Sequence, residues 1–264
     1  MNIFLFSAIL LFATMSALFV LAVRLKDNSI VDIAYGAVFV LLAWSAWTAF
    51  GAYEPRAFLM LALVTVWGIR LALHIAARKR GEKGEDFRYR KWRESWGETF
   101  YWRSFLQVFM LQGSVIFAVS LPVLLVVKDS GPGLGWLDIT GTAVWAVGFF
   151  FEAVGDWQLL KFKRNTANSG KLIQHGLWKY TRHPNYFGEA TLWWGVFLIA
   201  LNVPFGYLSV ISPLLIGFLL FKVSGIPMLE AKYEGRPDFE EYKKRTNALF
   251  PWFPRETKEG DDAR

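Results

Sequence analysis

The sequence predicts an all-α polytopic membrane protein with seven transmembrane helices, cytoplasmic loops and a cytoplasmic C-terminal tail. Three observations predict it. The 264 residues are 54% hydrophobic and 17% aromatic, with a mean hydropathy of +0.30, too apolar for an ordinary soluble domain. Seven apolar runs approach the ~20 residues that a hydrocarbon core of ~30 Å demands. Lys and Arg alternate between rich and poor loops along the chain.

The runs are Ile3–Val23, Ile30–Phe50, Ala57–Ala77, Phe105–Val127, Ile139–Leu160, Tyr186–Leu201 and Phe205–Val223. The first has no basic region ahead of it and no Ala-x-Ala-like end, so it reads as a membrane helix rather than a cleaved signal peptide. The sixth is short, as helices beside a site often are. Arg24–Ser29 carries two Lys/Arg, Gly51–Arg56 one, Arg78–Ser104 nine, Lys128–Asp138 one and Lys161–Asn185 six. The segment Asn202–Pro204 carries none and the tail from Lys222 nine. The positive-inside rule then puts the first, third and fifth loops and the tail in the cytoplasm, and the N-terminus outside. Glu256–Arg264 reads as a frayed end.

Composition excludes several functions. With no Cys there is no thiolate catalysis and no Cys-ligated metal, and three His without metal-ligand spacing argue against a zinc site. The net charge of +7 is explained by the loops, so nucleic acid is not an expected partner. No Gly-x-Gly-x-x-Gly or Walker pattern occurs, so any nucleotide would be held by helix ends and side chains.

Charges inside apolar runs are expensive and need a partner, a wet cavity or a function. Asp32 and Tyr35 share a face of the second run, a carboxyl beside a phenol suited to proton donation; the plain alternative is an acid favoured by a helix N-terminus. Arg70, His74 and Arg78 form a stripe on the third run that could hold phosphates or, for Arg78, simply snorkel. Arg88-Tyr89-Arg90 could clasp an adenine and a phosphate, or be a solvated basic loop. Glu152, Asp156 and Lys163 line one face of the fifth run, as a ribose or carboxamide site or as an interhelical salt bridge.

The densest stretch is Gly176–Glu189. Pro184 lacks an N–H and disfavours α geometry at His183, which marks a helix start there. A helix N-terminus beside Lys179, Arg182 and His183 makes an anion cradle, or a basic anchor for a membrane helix. Asn185, Glu189 and Trp193 follow as a polar-to-aromatic stripe that suits a flat ring bearing an amide.

The run Leu177-Trp178-Lys179-Tyr180-Thr181-Arg182-His183-Pro184-Asn185-Tyr186-Phe187-Gly188-Glu189 resembles the signature of the steroid 5α-reductase C-terminal superfamily. The closest resemblance is to its bacterial branch with a domain of formerly unknown function, DUF1295. Further matching segments are Val31–Gly36, Trp67–Leu71, Gly84–Tyr89, Asp156-x-Gln158, Ser224–Glu230 and Thr246–Trp252. The resemblance implies a single membrane-embedded reductase domain over 1–264. Residues 1–100 would supply the substrate-side helices and 101–264 the cofactor-binding region. The enzyme would use NADPH to reduce a 3-oxo-Δ4 steroid or another hydrophobic enone. It would sit among lipid in the bacterial inner membrane, its cofactor site cytoplasmic, with no obligate protein partner. Asp156, Lys163, Arg182, His183, Asn185, Tyr186 and Glu189 would line the cofactor pocket with Glu152, Tyr180 and Trp193; Arg70, Arg78, Arg88 and Tyr89 would help. Asp32 falls near a catalytic Glu of the eukaryotic enzymes, but no Gln precedes it, and Trp67 falls near their catalytic Tyr. Tyr35 is therefore the candidate to supply the hydroxyl. The same superfamily holds isoprenylcysteine methyltransferases, whose Glu-Glu pair is replaced here by Gly225-Ile226. A lipid methyltransferase using S-adenosylmethionine and a non-catalytic lipid-binding protein are the alternatives.

Overall fold

The computed structural model describes residues 1–51, 53–80 and 84–255. The expectation of a frayed Glu256–Arg264 lies outside them. The described residues form helices and no strand. In chain order the helices are α1 (Ile3–Leu25), α2 (Ile30–Phe50), α3 (Pro55–Lys79), α4 (Phe87–Val119) and α5 (Leu121–Lys128). They continue as α6 (Trp136–Arg164), α7 (Pro184–Ala200), α8 (Gly206–Glu230) and α9 (Pro237–Arg245).

Six of these, α1 to α4, α6 and α8, are long and apolar enough to cross a membrane, which makes this an integral membrane protein. The remaining expected span is α7. Its 17 residues reach only about 26 Å at ~1.5 Å per residue, less than the core they would have to cross. Several helices outrun their apolar runs. α3 continues to Lys79 and α6 to Arg164, because charged residues continue a helix as readily as they end a hydropathy window. The basic segment after α3 is not an open loop either. Asp86 caps α4, its carboxylate accepting from the Arg88 N–H at 2.9 Å, so Arg88-Tyr89-Arg90 is helical.

The chain divides into two compact units, Met1–Thr142 with Val196–Leu215 and Ala143–Gly195 with Ile216–Arg264. In the first, α2 and α3 pack at Gly36 and Gly68. A Cβ on Gly36 would stand 2.3 Å from the Gly68 carbonyl oxygen, and one on Gly68 2.5 Å from that of Gly36. Small residues are how membrane helices reach van der Waals contact, since lipid offers no hydrophobic drive between them. Phe39 and Trp67, both fully buried, extend this contact with their rings 5.2 Å apart, edge to face.

Loops expected on one side of the membrane do meet. The turn between α1 and α2 bonds to the segment after α3, Asn28 N–H donating to Glu85 at 2.9 Å. At the other end, buried Arg56 opens α3 and pairs with buried Asp138 at 2.9 Å. Arg56 also donates to the Ser130 carbonyl, which ties α3 to the turn before α6. In the second unit α6 and α7 pack through Gly148 and Gly188, where a Cβ on Gly188 would lie 2.3 Å from the Glu152 backbone nitrogen.

Gly68→Val is expected to force α2 from α3 and to cost about 1–3 kcal/mol, as overpacking does. Thermal unfolding in detergent measures it. Gly217→Ala, whose Cβ would meet its nearest neighbour at an ordinary 3.4 Å, is the control and should melt like the parent.

Candidate functional site

In the first unit a polar knot gathers where α2 begins. Asp32 sits in the first turn of α2, where the helix dipole favours a carboxylate. Its Oδ1 accepts from the Tyr89 hydroxyl at 2.7 Å and its Oδ2 from Arg88 Nη2 at 2.7 Å. Arg88 also donates from Nε to Asp86 at 3.0 Å, so one guanidinium lies between two carboxylates. The α1–α2 turn closes the knot. Ser29 Oγ accepts from Lys79 Nζ at 3.0 Å and from the Asp86 N–H at 2.8 Å. Asn28, buried, donates to Ser104 at 2.7 Å. Glu85 takes a bidentate pair from Arg93, at 2.9 and 2.8 Å. A small recess opens here, lined by Ser29, Asp32, Arg78, Lys79 and Asp86 among others, with Arg78 exposed.

Two of the carboxylates outside the spanning helices have shifted acidities, Asp86 and Asp27, the latter paired with Lys79 at 3.3 Å. Burial works against each. For Asp86 the Arg88 side chain and N–H outweigh it, and for Asp27 the Ser29 side chain and N–H and Lys79 do, holding both below the ordinary value of 3.8.

In the second unit the signature stretch forms a loop locked from two sides. On the α6 side, the Leu177 N–H donates to Gln158 at 3.0 Å and the Trp178 indole to the Gly155 carbonyl at 3.1 Å. Gly176 has φ +62°, and a Cβ there would press on the Gln158 amide at 2.4 Å, so glycine is favoured on both counts. On the other side lies the tail. The Arg182 N–H donates to the Asn247 carbonyl at 2.9 Å, Thr181 Oγ1 to that of Leu249 at 2.8 Å, and the Trp252 N–H to that of Tyr180 at 2.9 Å. Tyr242 donates to the Trp178 carbonyl. Burial pushes the Tyr242 phenol above its ordinary range, which keeps it a neutral donor.

At the centre of this lock is Glu230. Arg182 grips it with Nε at 2.9 Å and Nη2 at 3.2 Å, and His183 Nε2 stands 3.0 Å from the same carboxylate, so that nitrogen carries a proton. The third arm of Arg182 donates to the Thr246 carbonyl. Arg182 and His183 are both buried. Next to them α7 starts at Pro184. Asn185 donates from Nδ2 to buried Asp156 at 3.0 Å, while its Oδ1 is buried and has no partner among the protein groups.

The predicted residues thus fall into two groups. Asp32, Tyr35, Arg70, Arg78, Arg88 and Tyr89 belong to the first unit, and Asp32, Arg88 and Tyr89 are brought into direct contact. Tyr35 lies one turn further along α2 with its ring 5.2 Å from Phe39, and the phenol that donates to Asp32 is Tyr89. Glu152, Asp156, Lys163, Tyr180, Arg182, His183, Asn185, Tyr186, Glu189 and Trp193 belong to the second. There Asp156 meets Asn185, and His183 stacks on Tyr186 at 5.5 Å and 8°. Glu152 and Trp193 are fully buried and Lys163 is exposed. The chain-order reading gave Glu230 no role, although it lies in the matching segment Ser224–Glu230. Its only signal was an acid at the end of an apolar run, with an arginine elsewhere in need of a partner.

Glu230→Ala leaves Arg182 buried without a counter-charge and His183 without its hydrogen-bond partner. Removing one partner of such a pair costs about 3–5 kcal/mol, so a large fall in melting temperature is expected, and an unchanged one would refute the lock. The pH dependence carries a second expectation. Asp27 and Asp86 have depressed pKa values, so the stability they lend is complete above 3.8 and is lost as pH falls through their folded values. The melting temperature should therefore decline below about pH 4, and the decline should shrink in Asp86→Asn.

Among the described residues no group of His, Asp and Glu has a metal-holding arrangement. No curated protein and no solved structure matches the chain. One family profile does, over residues 18–246, most of the length. On that match the chain belongs to the family described as Protein of unknown function (DUF1295).

Proposed function

We propose that this protein is an NADPH-dependent membrane reductase of an activated C=C bond, acting on a 3-oxo-Δ4 steroid or a steroid-like lipid. The family is associated with steroid 5α-reductase-like proteins, which supports the class of reaction. In this reading α7 crosses as a short seventh span, the N-terminus lies outside, and the loops carrying the knot and the lock face the cytoplasm.

The observation that carries the proposal is the Asp156–Asn185 pair. Asn185 Oδ1 is a buried acceptor without a partner, a costly arrangement unless a ligand donor completes it. A carboxamide N–H fits that need, so the donor set suits the nicotinamide end of NADPH. Glu189 and the fully buried Trp193 ring continue the same helix face for a flat heterocycle. Arg182 and His183 act in this reading as framework, since Glu230 holds their donors, and Lys163 is one of the exposed cations of this unit that phosphate could meet.

When bound, NADPH supplies the hydride. The reaction adds that hydride to the β-carbon and a proton to the α-carbon, giving the saturated ketone and NADP+. Asp32 is the acid–base group on the chain's side. It orients the Tyr89 hydroxyl and is itself held by Arg88. Tyr35, three residues along the same helix, is the second phenol in reach of a lipid lying against α2.

Purified protein given an enone steroid such as progesterone is expected to consume NADPH and yield the saturated ketone. Asp32→Asn should abolish turnover while NADPH still binds. Asn185→Ala and Asp156→Ala should weaken NADPH binding by roughly tenfold, the worth of one hydrogen bond of about 1.4 kcal/mol. Tyr35→Phe against Tyr89→Phe shows which phenol serves the substrate. Absence of turnover with any enone, together with methyl transfer from S-adenosylmethionine, would overturn the proposal.

A further inference from the structure

Past α9 the chain sets three large aromatic residues in water's way. Phe250, Trp252 and Phe253 are 69%, 69% and 75% exposed, within four residues of one another and flanked by Pro251 and Pro254. They are not loosely held. The Trp252 N–H donates to the Tyr180 carbonyl at 2.9 Å, and Thr181 Oγ1 donates to the carbonyls of Leu249 and Ala248 at 2.8 and 3.1 Å. The Phe253 ring lies 6.0 Å from that of Tyr180, edge on. The Phe250 ring lies 6.1 Å from that of Phe187, in the first turn of α7. The backbone therefore fixes the aromatic stretch at the place where α7 begins, and leaves most of each ring uncovered.

We infer that Phe250, Trp252 and Phe253 are an interfacial anchor, seated in the boundary between phospholipid headgroups and acyl chains beside the start of α7. Two features select lipid as the occupant. α7 is short by about 4 Å for a core of ~30 Å. A short helix draws the interface toward its ends, and aromatic rings packed on its first turn extend the surface that meets it. The rim also has the right charge. Lys179 and Arg255 are both exposed, and Lys179 Nζ stands 6.0 Å from the Tyr180 ring, itself in contact with Phe253, so exposed cations adjoin the aromatic stretch in sequence and in space, as anionic headgroups require. The prolines stiffen the segment, so ordering it on the bilayer loses little chain entropy. The inference rests on α7 entering the bilayer and on no catalytic role.

The chain has no cysteine, so a single introduced one is unique. Trp252→Cys and Phe253→Cys are each spin-labelled in the full-length protein and reconstituted in phosphatidylcholine–phosphatidylglycerol vesicles. Collision with oxygen and with a water-soluble nickel chelate is then measured. Phe12→Cys, on the exposed face of α1, gives the lipid reference, and Lys244→Cys on α9 the aqueous one. High oxygen and low nickel accessibility at 252 and 253, as at 12, is the expected result. Nickel accessibility equal to that at 244 would overturn the inference. Low accessibility to both probes, or disulfide-linked dimers through these cysteines, would overturn it too, by giving the rings to protein or to a second copy. Both substitutions leave the pinning backbone bonds in place, and either one suffices for the test.

Discussion

A charge taken out of water among apolar helices costs several kcal/mol unless donors or a counter-charge meet it within a few ångströms. That constraint arranges this chain. Asp32 is met by Tyr89 and Arg88, Asp138 by Arg56, Asp156 by Asn185 and Glu230 by Arg182 and His183. Each contact joins segments far apart in sequence, 29 residues for Asp156–Asn185 and 82 for Arg56–Asp138. The polar groups therefore fix which loops meet, and the apolar surfaces fill in around them. Glycine contacts such as Gly36–Gly68 then set how near the backbones come.

The same constraint separates framework from chemistry. Arg182 spends all three arms of its guanidinium, two on Glu230 and one on the Thr246 carbonyl, and is as much part of the scaffold as a buried leucine. Asn185 is different. It satisfies Asp156 and is left with an acceptor that nothing in the protein uses. Natural interiors rarely keep such an atom without a functional role or a bound water or ion to meet it. The polar knot of the first unit lies between these cases. Asp32 is fully occupied, but by a phenol and a guanidinium at the rim of a recess where Arg78 is exposed.

Much of the fold was legible in the sequence because it is written locally. An apolar run and its basic flanks are neighbours along the chain, and Ile30–Phe50 was readable to the residue. Loops that the Lys and Arg counts group together do touch, as Asn28 and Glu85 show. Two things were not local. α4 starts within what reads as a basic loop: its cap, Asp86, is local, but the partner of its first turn, Asp32, comes from 56 residues away. Glu230 was invisible for the same reason: its partners come 47 and 48 residues earlier. The stripe reading paired Asp32 with Tyr35 because three residues on a helix share a face, whereas the hydroxyl that donates to it comes from 57 residues away. Helical periodicity can propose a face but cannot say what other segment is packed against it.

The tail's grip on the signature loop also bears on how the protein is made. Arg182 and Thr246 are 64 residues apart, and at ~5–20 residues per second a ribosome needs about 3–13 s to cover that distance. Throughout that interval the loop at Arg182 and His183 lacks the carbonyls of 246–249, and for the first 48 residues of it Arg182 lacks Glu230 as well. The nascent segment that leads into α7 must wait for its acceptors, with the Arg182 guanidinium not yet paired. The last helix and tail then arrive as the closing piece of the second unit, so its assembly has a built-in order, and a pause in translation after residue 183 would hold it open.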